Sequence, residues 1–106
     1  MIGQLKGKTA IITGAGSGMG RAISKTFARV GAKVVLANIV KEGVEETHTQ
    51  IDQSGGTSIV QIGDVSKQED INTVIKTALN EYGQLNILVN NAGIFDKFIP
   101  LVDMTD

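Results

Sequence analysis

The stretch from Thr9 to Arg21, with the sequence TAIITGAGSGMGR, decides the fold of this chain. Its first residues are apolar or β-branched, which predicts a buried strand, and a cluster of glycines follows without a spacer. A helical pattern begins directly after the cluster. The free N–H groups at the start of a helix attract anions, and missing Cβ atoms allow a close approach. The stretch is therefore typical of a phosphate-binding loop.

The spacing of the glycines distinguishes between known phosphate loops. The pattern G-x-G-x-x-G fails from Gly14, where it ends on Met19, and from Gly16, where it ends on Arg21. The ATP-type loop G-x-x-x-x-G-K-[ST] fails too, because no lysine follows Met19. A plain turn is the alternative, but it needs only one or two glycines. The pattern that fits is T-G-x-x-x-G-x-G, formed by Thr13, Gly14, Gly18 and Gly20.

Length and composition limit what this loop can serve. The chain has 106 residues, enough for one domain, with 42% hydrophobic residues and a formal net charge of -1. This charge gives no electrostatic basis for binding nucleic acid or an acidic membrane. With no cysteine and one histidine, the chain lacks the usual ligands of a metal site. It has no run of membrane-spanning length and no signal-peptide core, so we expect a soluble, cytoplasmic protein.

Strand and helix patterns alternate along the chain, which predicts a parallel sheet with helices on its faces. Apolar, β-branched runs predict strands at residues 9–13, 33–37, 58–62 and 85–89. Apolar residues at helical spacing predict helices at residues 18–30, 41–54 and 66–82.

The same spacing predicts which helical residues are buried. They are Met19, Ile23, Phe27 and Val30 in the first helix, and Ile71, Val74, Ile75, Ala78, Leu79 and Tyr82 in the third. Ser66 and Glu69 fit a capping box, so we expect Ser66 to start the third helix. His48 has no partner nearby in sequence, and we expect a structural histidine rather than a catalytic one.

Short motifs lie at the ends of all four predicted strands. They are the T-G-x-x-x-G-x-G loop, Asn38, the pair Asp64-Val65, and Asn90-Asn91-Ala92-Gly93. In this order they resemble the N-terminal, cofactor-binding part of a short-chain dehydrogenase/reductase. The resemblance implies an α/β fold with a Rossmann-type doubly wound parallel sheet, incomplete here, with strand order 3-2-1-4. It also implies a nicotinamide dinucleotide across the carboxyl ends of the strands.

The resemblance further implies a set of cofactor-binding residues. They are Gly14, Ser17, Gly18, Met19, Gly20, Asn38, Asp64, Val65, Asn90, Asn91, Ala92 and Gly93. The glycines are expected to leave space where the pyrophosphate meets the backbone. Asp64 is expected to accept a hydrogen bond from the adenine amino group while Val65 packs on the ring; a plain turn aspartate is the alternative. Residues 90–93 are expected to lie against the cofactor ribose, with the asparagine amides tying neighbouring strands together.

Asn38 bears on the choice between NAD and NADP. NAD-using members of the family carry an acidic residue here, which binds the ribose hydroxyls and repels a 2′-phosphate. Asparagine keeps an acceptor without the charge, so we expect weak discrimination. Ser17 is not the basic residue that NADP-using members often carry, and only Lys41 is near enough in sequence to reach a phosphate. NAD is the expected cofactor, with NADP as the alternative.

The family's proton-transfer pair, Tyr-x-x-x-Lys, is not found in this sequence. Its one tyrosine is Tyr82, and Asn86 stands four residues later. We therefore assign no catalytic residue and interpret residues 1–106 as the N-terminal part of a single dinucleotide-binding domain without its catalytic part. The expected function is NAD(P)-dependent hydride transfer with an alcohol or carbonyl substrate, this chain alone being inactive. The alternative is a truncated, non-catalytic module that binds a dinucleotide or a partner.

The fourth predicted strand is expected to be an open edge. Residues 85–89 are nearly all apolar and lack the lysine or proline that protects natural edge strands. We therefore expect the chain alone to form a homo-oligomer or an aggregate, or to be partly molten.

Overall fold

The computed structural model describes residues 5–16, 18–64, 67–91 and 99–100. The elements in chain order are β1 (Thr9–Thr13), α1 (Gly18–Arg29), β2 (Lys33–Asn38), α2 (Val44–Gln53), β3 (Thr57–Ile62), α3 (Gln68–Tyr82), β4 (Ile87–Val89) and β5 (Ile99–Pro100). None of the helices in this described part has the length and apolar character needed to cross a bilayer.

The strands form one sheet in the order β3-β2-β1-β4-β5. The first four are parallel, and β1 lies at the centre, with Ile11 opposite Val35 on one side and Leu88 on the other. The predicted order 3-2-1-4 is therefore confirmed. All carboxyl ends of these four strands lie along one edge, which is where doubly wound sheets bind their ligands.

Alternate residues of the central strands enter two separate cores, because successive side chains of a strand point to opposite faces. The core that includes α1 and α2 residues contains Ala10, Ile12, Ala28, Val34, Leu36, Val44 and Ile51. The core that includes α3 residues contains Ile11, Val35, Ala37, Val74 and Ala78. Both faces of β1 and β2 are thus covered, which explains why their sequences are continuous apolar runs.

The edge beside β4 differs from the prediction of an open strand. The two-residue strand β5 pairs antiparallel with β4, placing Ile99 opposite Leu88 and Pro100 opposite Ile87. Proline lacks an N–H group and cannot extend a ladder, which is why it occurs on edge strands. The sequence did not indicate this pairing, because two residues are too few to show a strand pattern.

The buried face of α1 agrees with the prediction in part, since Ile23 and Phe27 are partly buried against the core. Met19 is 70% exposed, whereas Gly20, Ser24 and Ala28 are buried. These small residues lie at positions i, i+4 and i+8, so α1 packs closely on the sheet through backbone and short side chains. In α3, the prediction that Leu79 is buried is also wrong, because its side chain is 46% exposed.

The helix starts are later than predicted. α2 begins at Val44 rather than residue 41, after Gly43 with a φ of 51°. The N-cap of α3 is Lys67, which has an extended backbone and makes no side-chain capping bond. Ser66, the expected cap, lies outside the described residues.

Candidate functional site

A cleft of about 260 Å³ opens at the carboxyl ends of β1, β2 and β3. It is lined by Thr13, Gly14, Ala37, Asn38, Ile39, Val40 and Gly63. The strand ends bring these residues together from three separate βα connections. Ile39 and Val40 are large apolar residues that remain 56% and 55% exposed at its rim.

Two glycines of the loop between β1 and α1 have left-handed backbone angles. Gly14 has a φ of 62° and Gly18 a φ of 54°, a region that costs other residues roughly 1–2 kcal/mol. A Cβ built on Gly18 meets no heavy atom within 4 Å. Gly18 is therefore required by backbone conformation, and it leaves open space at the start of α1.

Gly20 is required for a different reason. A Cβ at this position would lie 1.9 Å from the carbonyl oxygen of Gly14 and 2.7 Å from Nδ2 of Asn91. The glycine thus lets the first turn of α1 approach the end of β1. Our expectation that its missing Cβ makes room for a pyrophosphate is incomplete, since the protein's own backbone already occupies that space.

The asparagines after β4 join the ends of β4 and β1. The Thr13 hydroxyl lies 3.0 Å from Asn90 Oδ1 and 3.3 Å from the Val89 carbonyl oxygen. The Asn91 side-chain amide donates to the Gly14 carbonyl oxygen at 3.3 Å. Both asparagines therefore hold the glycine loop against the neighbouring strand.

Asn38, the last residue of β2, uses its amide nitrogen within the protein. Nδ2 donates to the Val40 carbonyl oxygen at 2.9 Å. A carbonyl can only accept, so the amide orientation is determined by its partner. The bond uses one of the two N–H donors of the amide and leaves the side-chain oxygen as an acceptor for a ligand in the cleft.

Asp64 follows β3 in a turn that is fixed by the start of α3. Its N–H donates to the Asp70 carboxylate at 2.8 Å, and its carbonyl accepts from the Lys67 N–H at 2.9 Å. The preceding Gly63 N–H donates to the Asn38 carbonyl oxygen at 2.8 Å. These bonds place Asp64 beside Asn38 at the same edge of the sheet.

This arrangement of glycine loop, strand ends and cleft has counterparts among known proteins. The family model described as short chain dehydrogenase matches residues 8–106. The chain belongs to the short-chain dehydrogenase family.

Individual relatives agree with this assignment. The chain is 35% identical over 102 residues to 3beta-hydroxysteroid dehydrogenase 2 of Eggerthella lenta, covering 96% of this chain and 39% of that protein. It is 44% identical over 91 residues to a mitochondrial borneol dehydrogenase of Lavandula x intermedia, covering 86% and 33% respectively. The chain thus spans well under half the length of these relatives.

A solved structure agrees as well. The citronellol catabolism dehydrogenase AtuB of Pseudomonas aeruginosa superposes with a TM-score of 0.81 at 33% identity, covering 91% of this chain and 43% of that one.

The structure brings together most of the residues predicted for the cofactor site. Those at the carboxyl edge of the sheet or in the adjoining first turn of α1 are Gly14, Gly18, Met19, Gly20, Asn38, Asp64, Asn90 and Asn91. Ser17, Val65, Ala92 and Gly93 lie outside the described residues. Met19 contributes its position in the first helical turn, with its side chain in solvent.

Tyr82 lies far from this edge. It ends α3 near the start of β2, where Lys33 Nζ is 5.5 Å from the centre of its ring. Burial, and secondarily Glu81, raises the pKa of Tyr82, whereas proton transfer near neutral pH requires a lowered one. Tyr82 is therefore unsuited to the proton-transfer role.

His48 also lies outside the cleft. Its Nδ1 is 2.7 Å from the Ser58 hydroxyl on β3, so it has the structural partner that the sequence could not reveal.

Sequence reasoning missed residues that hold the glycine loop from behind. Arg21 and Thr47 bond to backbone carbonyls of this loop and of the connection between β2 and α2. Their only sequence signal is an arginine directly after the fingerprint, because the partners lie up to 32 positions apart.

Proposed function

We propose that the protein is an NAD(P)-dependent oxidoreductase that transfers hydride between a nicotinamide cofactor and an alcohol or carbonyl substrate. In this proposal, residues 1–106 supply the cofactor-binding part. The observation that carries it is the cleft at the carboxyl ends of β1 to β3, bordered by a glycine loop that opens a helix. Membership of the short-chain dehydrogenase family supports the reaction class.

The described residues fit a dinucleotide. The open space at Gly18 and the free N–H groups at the start of α1 suit the pyrophosphate, since helix N-termini attract anions. Asp64 is proposed to accept from the adenine amino group, with Val65 on the ring. Asn90 to Gly93 are proposed to lie against the ribose near the nicotinamide. When bound, the nicotinamide accepts or gives up the hydride.

We propose NAD rather than NADP as the preferred cofactor. One N–H of the Asn38 amide donates to Val40, its oxygen remains as an acceptor for a ribose hydroxyl, and the side chain supplies no positive charge for a 2′-phosphate. Lys41, the nearby cation in the sequence, is paired with Glu45 at 3.7 Å. A neutral hydrogen bond is worth about 0.5–1.5 kcal/mol, so the expected preference is roughly 2- to 10-fold.

The substrate class is proposed from the family and its relatives. Their names refer to hydroxysteroids and borneol, which are alcohols. The Tyr-x-x-x-Lys pair does not occur in these 106 residues, so catalysis requires further chain. A non-catalytic dinucleotide-binding module is the second candidate for the same reason. The homo-oligomeric state and the cytoplasmic location stay predictions from the sequence.

The test uses the protein expressed from its complete gene. Calorimetric titration with NAD and NADP should give binding of both, with the lower Kd for NAD. Oxidation of a panel of secondary alcohols, followed by the absorbance of the reduced nicotinamide, should then give turnover. Binding without turnover on any alcohol or carbonyl would favour the non-catalytic module. Absence of dinucleotide binding by a folded protein would refute the proposed function.

A further inference from the structure

Arg21 directs its guanidinium at backbone carbonyls behind the glycine loop. Its Nη2 donates to the Gly16 carbonyl oxygen at 2.7 Å and to the Gly43 carbonyl oxygen at 2.9 Å. Its Nε donates to the Thr47 hydroxyl oxygen at 2.9 Å. One side chain thus joins the glycine loop, the residue before α2 and the first turns of α2.

Thr47 completes this network from the other side. It is fully buried, and its hydroxyl lies 2.8 Å from the Ala15 carbonyl oxygen and 3.2 Å from that of Gly43. The hydroxyl donates its one proton to these carbonyls and accepts from Arg21, so it links Arg21 to both loops.

The two loops pack closely together through their backbones. Gly43 has a φ of 51°, and a Cβ there would lie 2.5 Å from the Gly16 carbonyl oxygen. A Cβ on Gly16 would in turn lie 2.8 Å from Nδ2 of Asn38. The glycine loop is therefore packed against both Gly43 and the Asn38 side chain.

We propose that Arg21, together with Thr47, is a positioning residue that sets Asn38 relative to the phosphate loop and thereby controls selectivity at the ribose 2′ position. This inference rests on the proposed function, because it concerns how the same cleft recognises its dinucleotide. Arg21 suits the role because its planar, always charged group bonds several acceptors at once. Loss of these bonds releases the connection between β2 and α2 from the glycine loop, while every side chain that lines the cleft keeps its chemical identity.

The test measures two probes, ADP-ribose and 2′-phospho-ADP-ribose, by calorimetry on the protein expressed from its complete gene. Arg21→Met should weaken binding of ADP-ribose more than binding of the phosphorylated probe, so that the ratio of the two Kd values falls from roughly 2- to 10-fold to about 1. Arg21→Lys keeps the positive charge but loses the planar guanidinium, and its ratio of Kd values should lie between those of the unmodified protein and Arg21→Met. Arg29→Met is the matched control, since Arg29 lies on the same helix and bonds the exposed Thr26 hydroxyl. It should leave both Kd values unchanged.

A merely structural role would lower the melting temperature of Arg21→Met without changing the Kd ratio of the folded protein, and that result would overturn the inference. If Arg21→Met does not fold, Thr47→Val gives the same decision, because it keeps the shape and removes the hydroxyl. A narrowed ratio supports the proposal, and an unchanged ratio overturns it. These outcomes leave the proposed function intact. It would fail, and the inference with it, if the unmodified protein bound neither probe.

Discussion

The contact between Gly20 and Gly14 makes Gly20→Ala the sharpest test of the site. The new Cβ would lie 1.9 Å from the Gly14 carbonyl oxygen, and contacts under 3.0 Å require a shift. The carbonyl or the helix must therefore move by at least 1.1 Å, from 1.9 to 3.0 Å. This shift breaks the bond from Asn91 to Gly14. Overpacking costs about 1–3 kcal/mol and the lost hydrogen bond about 0.5–1.5 kcal/mol, so we expect a destabilisation of about 1.5–4.5 kcal/mol.

Two further alanine variants separate the causes of this loss. Gly18→Ala places its Cβ in open space, so it should cost only the roughly 1–2 kcal/mol of the left-handed conformation. Gly63→Ala brings its Cβ to 3.6 Å from Asp70 Cβ, an ordinary contact, and serves as the control. Urea denaturation measures all three, and titration with NAD shows whether Gly20→Ala also loses binding. The reasoning is refuted if the free energy of unfolding of Gly20→Ala is within about 0.5 kcal/mol of that of the unmodified protein and the variant binds NAD equally well.

Three further predictions concern single side chains. Asn38→Asp adds a negative charge beside the ribose position and should raise the preference for NAD over NADP about 5-fold, measured as a ratio of Kd values; an unchanged ratio would place the 2′ position elsewhere. Thr13→Val removes the hydroxyl that bonds to Val89 and Asn90, and should lower the free energy of unfolding by about 1–2 kcal/mol in urea denaturation; an unchanged value would contradict this. Tyr82→Phe should leave stability at neutral pH nearly unchanged, because the buried Tyr82 hydroxyl has no hydrogen-bond partner among the described residues. Burial raises the pKa of Tyr82 in the folded state, so the free energy of unfolding of the unmodified protein should fall as the pH rises above 10.0. The phenylalanine variant should lose less stability above pH 10.0, and equal losses would contradict this.

The sheet was predictable because each strand carries its own local signal. β1 and β2 are continuous apolar runs, and glycines or polar residues separate them from the helices. The order 3-2-1-4 followed from the family resemblance, and the connection rules for parallel strands agree with it. The antiparallel pair of β4 with β5 has no such local signal, since it depends on where the chain returns.

The burial of α1 was predicted only in part: Ile23 and Phe27 pack against the core, but Met19 is exposed. Helical spacing identifies rows of residues along a helix, but several neighbouring rows compete for the contact. Large apolar residues favoured the row containing Met19, whereas the sheet accepts the row of Gly20, Ser24 and Ala28. Close packing selects small residues, which a count of apolar side chains overlooks.

The position of the glycines after β1 was predictable, whereas the reason for each glycine was not. The sequence pattern attributed the glycines to backbone angles and to the close approach of a phosphate, without assigning either reason to a particular glycine. The structure separates two demands. Gly18 is required by its left-handed backbone conformation and has open space where a Cβ would lie. Gly20 is required because a Cβ there would clash with the Gly14 carbonyl oxygen. Gly16 lies outside the fingerprint but is confined by Asn38 and by the Val44 N–H group.

These two requirements explain why the glycine pattern predicts the shape of the loop better than it predicts which ligand the loop binds. A Cβ on Gly20 would meet the Gly14 backbone, and one on Gly43 would meet the Gly16 backbone, so contacts within the protein already require these two glycines. The same contacts set the path of the loop that leads into α1 at the edge of the cleft. In the proposed function, the choice of ligand depends on groups supplied by other strands, such as the Asn38 oxygen, and in the proposal above Arg21 and Thr47 set its position. On that proposal, residues that do not line the cleft alter which dinucleotide it accepts.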